Sequence, residues 1–93
     1  MIRRISMWRL HDKKDAEEMK TVLLTMKGNV PSLTDIEVGI NISKHNAAYD
    51  IVFMGSFKNA DALAEFETDE FHKSIGKFVN KVRESRVVVE YEY

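Results

Sequence analysis

Residues 33–57 of the chain are LTDIEVGINISKHNAAYDIVFMGSF, two apolar segments separated by a polar loop. Residues 33–42 alternate apolar and polar side chains, which is typical of a strand with one buried face. Residues 49–57 carry apolar side chains on both alternating sets, which indicates a strand covered on both sides. The stretch therefore predicts two consecutive strands in the middle of the chain.

Helical patterns flank this stretch on both sides. Before it, Asp12 offers a side-chain oxygen as an N-cap, and Gly28 can adopt the left-handed conformation that ends a helix. The apolar residues between them repeat at helical spacing: Ala16, Met19, Leu23 and Met26. After the stretch, Asn59 caps a short helix, and Thr68 or Asp69 begins a longer one. The longer helix has an apolar stripe made of Phe71, Ile75, Phe78 and Val82.

Two further strand patterns lie at the ends of the chain, at residues 2–10 and residues 86–93. The resulting order is strand, helix, strand, strand, helix pair, strand, which predicts an α+β fold of βαββαβ type. Right-handed crossovers place the helices on one face of the sheet. The opposite face still carries large apolar side chains, so we expect a second copy of the chain to cover it in a homodimer.

Length and composition bound the class of protein. The 93 residues allow one domain, residues 1–93, and the net charge of −1 gives no bulk attraction to nucleic acid or to an anionic membrane. Lys73, Lys77 and Lys81 line one helix face, which is typical of a solvated surface. The chain has no cysteine and only scattered histidines and glycines, so it predicts no disulfide, metal site or phosphate-binding loop. Without a long apolar run, we expect a soluble cytoplasmic protein with no membrane partner.

Taken together, these segments resemble the stress-responsive A/B barrel (Dabb) family over nearly the whole chain. The residues that carry the resemblance are Leu10-His11-Asp12, residues 37–43 (EVGINIS), Tyr49-Asp50, Phe57, Leu63, Phe66 and His72. An apolar and aromatic final strand completes the pattern. The resemblance implies a ferredoxin-like protomer with a four-stranded antiparallel sheet, which packs against the sheet of a partner to form a dimeric α+β barrel.

The family resemblance also implies a functional site. Some plant members respond to stress, some members close polyketide chains into aromatic rings, and many bacterial members have no assigned activity. The cyclase-type members use no cofactor, and they place a helix histidine and a tyrosine in a cleft between sheet and helices. The resemblance puts His72 at the histidine position, and Phe66, which has no hydroxyl group, at the tyrosine position. A histidine common on the first strand of the family falls on Arg4.

The first functional hypothesis is a small homodimeric domain that binds an apolar or aromatic molecule in this cleft. Its ligand-binding residues would be Arg4, Trp8 and Phe66. Arg4 and Trp8 share one face of the first strand, so Arg4 could hold an anionic ligand beside the Trp8 indole. In the alternative interpretation Trp8 packs in the core or the interface, and Arg4 pairs with Glu90 or Glu92 on the last strand.

Two other hypotheses stay open, and the sequence leaves undecided whether the protein is an enzyme. One is a cofactor-independent cyclase or isomerase in which His72 gives and takes a proton, since imidazole changes charge near neutral pH. The structural alternative is a helix histidine bonded to a neighbouring backbone carbonyl or to water. The last hypothesis is a non-catalytic stress-response or interaction protein, which predicts a filled cleft.

Overall fold

A four-stranded antiparallel sheet carries the helices in this computed structural model, which describes residues 1–93. The elements in chain order are β1 (Ile2–Leu10), α1 (Ala16–Leu24), β2 (Asp35–Ile40), β3 (Ile51–Phe57), α2 (Ala60–Thr68), α3 (Glu70–Val82) and β4 (Arg83–Glu92). The strands lie in the order β2-β3-β1-β4. This arrangement confirms the predicted α+β, ferredoxin-like fold of βαββαβ type.

The starts of α2 and α3 fall where the sequence predicts them, whereas α1 is shorter than predicted, because it ends at Leu24 and leaves Met26 and Gly28 in the turn that follows. Asp12 caps a short 3-10 turn before α1, and Gly28 adopts a φ of 80° in the loop after it. Asn59 caps α2. Asp69 caps α3 by accepting a hydrogen bond from the backbone N–H of His72 at 3.0 Å. Because Asp69 directly follows α2, the two helices meet without a loop, and this junction fixes the position of His72.

Two details differ from the sequence pattern. Ile42 was expected on the buried face of residues 33–42, but β2 ends at Ile40 and Ile42 is 98% exposed. The chain leaves the sheet there because the Asn41 side chain accepts a hydrogen bond from the backbone N–H of Ser43 and turns the backbone. In α3 the buried stripe includes Val79, which the sequence pattern missed, whereas Phe71 and Phe78 are half-buried.

The core lies between the helices and the centre of the sheet. Its most buried side chains include Phe53 and Phe57 of β3, Phe66 of α2 and Met19 of α1. The helices pack mainly over β2 and β3, whereas β4 pairs with β1 at the far edge of the sheet. The helix side of β1 and β4 is therefore less completely covered, and this difference creates the space for a cleft.

The other side of the sheet has no helix over it, and we call it the open face. Its apolar residues are Ile5, Met7, Val52, Met54, Val87, Val89 and Tyr91. Several are substantially exposed, among them Val89 at 53%. At one end of this face, Arg3 stacks over the Tyr93 ring at 4.1 Å, and its hydrogen bond to the Tyr91 hydroxyl raises the pKa of the guanidinium. So much exposed apolar surface on one side of a small chain is typical of an interaction surface.

Candidate functional site

A cleft of about 340 Å³ lies between α3 and the helix side of the sheet. Its floor is formed by Arg4, Ser6 and Trp8, which follow one another on the same face of β1. Leu23 and Met26, from α1 and the turn that follows it, close the inner end. The sequence-predicted residues Arg4, Trp8, Phe66 and His72 all line this one cleft.

The wall of the cleft formed by α3 changes from apolar to basic. Successive helical residues are turned by about 100°, so the lining residues cover an arc of the helix surface. Ile75 and Val79 occupy the edge of the arc next to the core, and both are buried. Lys73 and Lys77 occupy the solvent edge and are exposed. The cleft is thus apolar inside and basic at its mouth.

His72 is held by two contacts with Phe66. The two rings stack with their centroids 3.9 Å apart and an interplanar angle of 19°. Nδ1 of His72 lies 2.8 Å from the backbone carbonyl oxygen of Phe66. Since a carbonyl oxygen can only accept a hydrogen bond, Nδ1 is the protonated nitrogen in this contact. Nε2 has no hydrogen-bond partner within the chain, so in the neutral ring it is the nitrogen able to accept a proton.

Phe66 packs between the core and the His72 ring. Its ring is only 2% exposed and packs against Phe57, with centroids 5.0 Å apart, and against Phe53 at 6.3 Å. It therefore offers little surface to a bound molecule, and its main contact on the cleft side is the stacked His72 ring. The hydrogen bond and the stacking together fix the orientation of the imidazole.

Arg4 and Trp8 occupy the floor in different ways. The Arg4 guanidinium forms ion pairs with Glu67 of α2 and with Glu90 of β4, the latter at 2.5 Å. The pairing with Glu90 is one that the sequence suggested, whereas Glu67 was not foreseen. Trp8 is 5% exposed, and its indole Nε1 is buried without a hydrogen-bond partner. Both residues line the cleft, and their ligand-binding role stays a prediction.

Sequence reasoning missed the cleft residues that only the fold brings together. Arg86 of β4 is one of them, because it faces the helix side next to its register partner Trp8. Asn80 and Gly76 of α3 are others. For Gly76 a signal existed, since glycine inside a helix costs about 0.5–1 kcal/mol relative to alanine and needs a reason.

Gly76 lies at the centre of the α3 arc that lines the cleft, where a Cβ would meet no atom within 4 Å. We expect Gly76→Ala to raise the free energy of unfolding by about 0.5–1 kcal/mol, measured by urea denaturation. We also expect it to weaken the binding of a cleft ligand by about tenfold, because the new methyl group takes up ligand space. Ser74→Ala, on the same helix outside the cleft, is the control and should leave binding unchanged. Unchanged affinity in Gly76→Ala would show that the ligand does not approach α3.

No three or more His, Cys, Asp or Glu side chains come together in a group that could hold a metal ion. None of the helices is both long and apolar enough to cross a bilayer.

The comparisons with known proteins agree on family and fold. The family model described as "Stress responsive A/B Barrel Domain" matches residues 2–93. No curated protein matches the sequence. A dimeric protein of unknown function and ferredoxin-like fold from Bacteroides fragilis is 24% identical, with a TM-score of 0.86, and the match covers 99% of this chain and 95% of that one.

Two more distant structures have the same fold. A dimeric ferredoxin-like protein of unknown function from Thermobifida fusca is 19% identical, with a TM-score of 0.87 and coverage of 99% and 90%. The hydroxynitrile lyase from Passiflora edulis is 13% identical, with a TM-score of 0.83 and coverage of 97% and 90%. At these identities the structures show a shared fold and leave the activity of this chain open.

Proposed function

Because the chain belongs to the stress responsive A/B barrel domain family, we propose that it forms a homodimer through its open face and binds a small apolar or aromatic molecule in the cleft. The observation that carries the proposal is the cleft itself. It is a concave space of about 340 Å³ with apolar walls and a few convergent polar groups, which is the usual composition of a small-molecule site. The two functions use opposite faces of one sheet, so ligand binding and dimerisation do not compete.

The dimer is supported by the exposure of the open face and by the relatives. The Bacteroides fragilis and Thermobifida fusca proteins, which share the fold, are both described as dimeric. In this chain Val89 and Met7 leave large apolar areas exposed on the side of the sheet without helices. Burial of such a face against a second copy removes apolar surface from water and stabilises both protomers.

The proposal can be tested directly because Trp8 is the only tryptophan in the chain and lines the cleft. Its indole N–H gives one resolved signal in a proton–nitrogen NMR spectrum. A panel of phenolic and polyketide-like compounds should contain ligands that shift this signal and saturate. If no compound class shifts it, the binding function is wrong.

The second candidate function is cofactor-independent proton transfer, such as ring closure or isomerisation, with His72 as the acid–base group. The geometry of the imidazole favours it, because Nδ1 is fixed by the Phe66 carbonyl while Nε2 is unpartnered beside the cleft. Phe66 provides no hydroxyl group to share the task, so the proton transfer would rest on His72. A non-catalytic interaction protein predicts a filled cleft, and the open cleft lined by His72 and Trp8 counts against that hypothesis.

The enzyme candidate predicts that His72→Gln loses about 10²–10⁴-fold in turnover of any substrate found by screening. The glutamine amide can still donate a hydrogen bond to the Phe66 carbonyl, but it cannot exchange a proton near neutral pH. The molecular mass in solution should stay unchanged, because residue 72 is on the helix side of the sheet. His45→Gln, in the exposed loop between β2 and β3, is the matched control. Turnover that persists in His72→Gln would rule out this catalytic role.

A further inference from the structure

We infer that the molecule bound in the cleft is a small amphipathic acid, with an aromatic or alkyl body under α3 and one anionic group at the mouth. The inference rests on the proposed function, since it names the ligand class of the same cleft. It is more specific than the proposal of an apolar ligand, because it assigns a charge and a position to the polar end of the molecule.

The charged side chains that line the cleft are all basic. Among the side chains that line it, Arg4, Lys73, Lys77 and Arg86 are basic, and none is aspartate or glutamate. The whole chain, in contrast, has a net charge of −1. A basic lining on a slightly acidic protein is therefore a local feature of this site and not a reflection of composition.

Arg4 is not the cation that receives the anionic group. Its guanidinium already pairs with Glu67 and Glu90, and this group of three has a net charge of −1. These two ion pairs are the only ones in the structure. Lys73, Lys77 and Arg86 consequently have no acidic partner, and together their positive charge outweighs the net negative charge of the Arg4 group.

The unpaired cations lie on opposite sides of the mouth. Arg86 extends from β4, at the edge of the sheet, beside its register partner Trp8. Lys73 and Lys77 extend from the solvent edge of α3. An anionic group between Lys77 and Arg86 would interact with both, and the three exposed side chains would stay hydrated until it arrives. Their exposure makes the expected gain in affinity moderate.

The apolar body of the ligand is defined by the inner part of the cleft. Trp8 forms the floor there, and Ile75 and Val79 form the wall. Gly76, between these residues and the lysines, leaves the space that a side chain would fill. The position of Gly76 thus links the apolar interior to the basic mouth, and an amphipathic molecule fits both parts at once.

The test compares three compounds with one carbon skeleton, para-butylbenzoate, para-butylbenzyl alcohol and para-butylbenzylamine. Each is titrated into the nitrogen-labelled chain at neutral pH while the Trp8 indole N–H signal is followed. We expect the acid to bind about tenfold more tightly than the alcohol, and the amine to bind most weakly. Added salt should reduce the preference for the acid, because it screens exposed charges.

The variant Lys77→Gln/Arg86→Gln tests which cations are responsible. It should lower the affinity for the acid to about that of the alcohol and leave binding of the alcohol unchanged. Lys58→Gln/Lys81→Gln, which removes the same charge outside the cleft, should keep the tenfold preference. If the double cleft variant keeps that preference, the assignment of Lys77 and Arg86 is wrong.

The remaining outcomes separate this inference from the proposed function. Equal or tighter binding of the alcohol would overturn the acid as ligand class and leave a neutral cleft ligand standing. If none of the three compounds shifts the Trp8 signal, both the acid as ligand class and the proposed cleft-binding function would be overturned, since neither the apolar body nor the charge would then be recognised.

Discussion

We expect the natural chain to be a dimer at micromolar concentrations and the Val89→Asp variant to be a monomer. Val89 lies on the open face opposite Ile5 in the strand register and is 53% exposed. In a single chain an aspartate at this position stays in contact with water and costs little. In a dimer that buries the open face, its carboxylate would lose water without gaining a partner, which costs several kcal/mol. The molecular mass, measured by light scattering, reports the result.

The matched control is Val88→Asp, on the same strand. Val88 is 43% exposed but faces the helix side, opposite Ser6. The two variants therefore introduce the same charge, one residue apart, on opposite faces of the sheet. We expect Val88→Asp to remain a dimer. A dimeric Val89→Asp, or a monomeric Val88→Asp, would mean that the copies associate through another surface.

Phe66→Ala should lose about 3–5 kcal/mol of unfolding free energy. The ring is 2% exposed and contacts Phe53, Phe57 and the His72 imidazole, so its removal leaves a cavity at the centre of the core. For a domain of this size such a loss lowers the melting temperature by roughly 15 °C or more. The imidazole of His72 also loses its stacked support, and its ring NMR signals should broaden or shift even where the variant is folded.

Phe71→Ala provides the comparison, because Phe71 lies in the first turn of the neighbouring helix and is only half-buried. The same chemical change should cost about half as much there, since less apolar surface is lost. Both variants are compared at one protein concentration, because the proposed dimer would contribute to apparent stability. Equal losses in the two variants would contradict the central position of Phe66 in the core.

The fold was predictable because its signals are local. The alternation in residues 33–42 and the caps at Asn59 and Asp69 depend on neighbours within a few residues. Ile42 was misplaced because one hydrogen bond of the Asn41 side chain ends the strand early. Alternation alone does not show where the backbone leaves a sheet.

The candidate site was predictable only in part. His72, Arg4 and Phe66 line one cleft as the family resemblance implied, and Trp8 joins them as its shared strand face with Arg4 suggested. The partner of Arg4 on α2 and the basic mouth were not visible, because they depend on strand register and on how helices cover the sheet. Arg86 reaches Trp8 only through the pairing of β1 with β4. Such contacts join residues far apart in sequence, and no local pattern specifies them.

The most direct test is a crystal structure of the chain with para-butylbenzoate. We expect the butylphenyl group against the Trp8 indole beneath Gly76, the carboxylate between Lys77 and Arg86, and the open face buried against a second copy. A ligand bound elsewhere, for example on the open face of a monomer, would contradict both the cleft as a binding site and the homodimer.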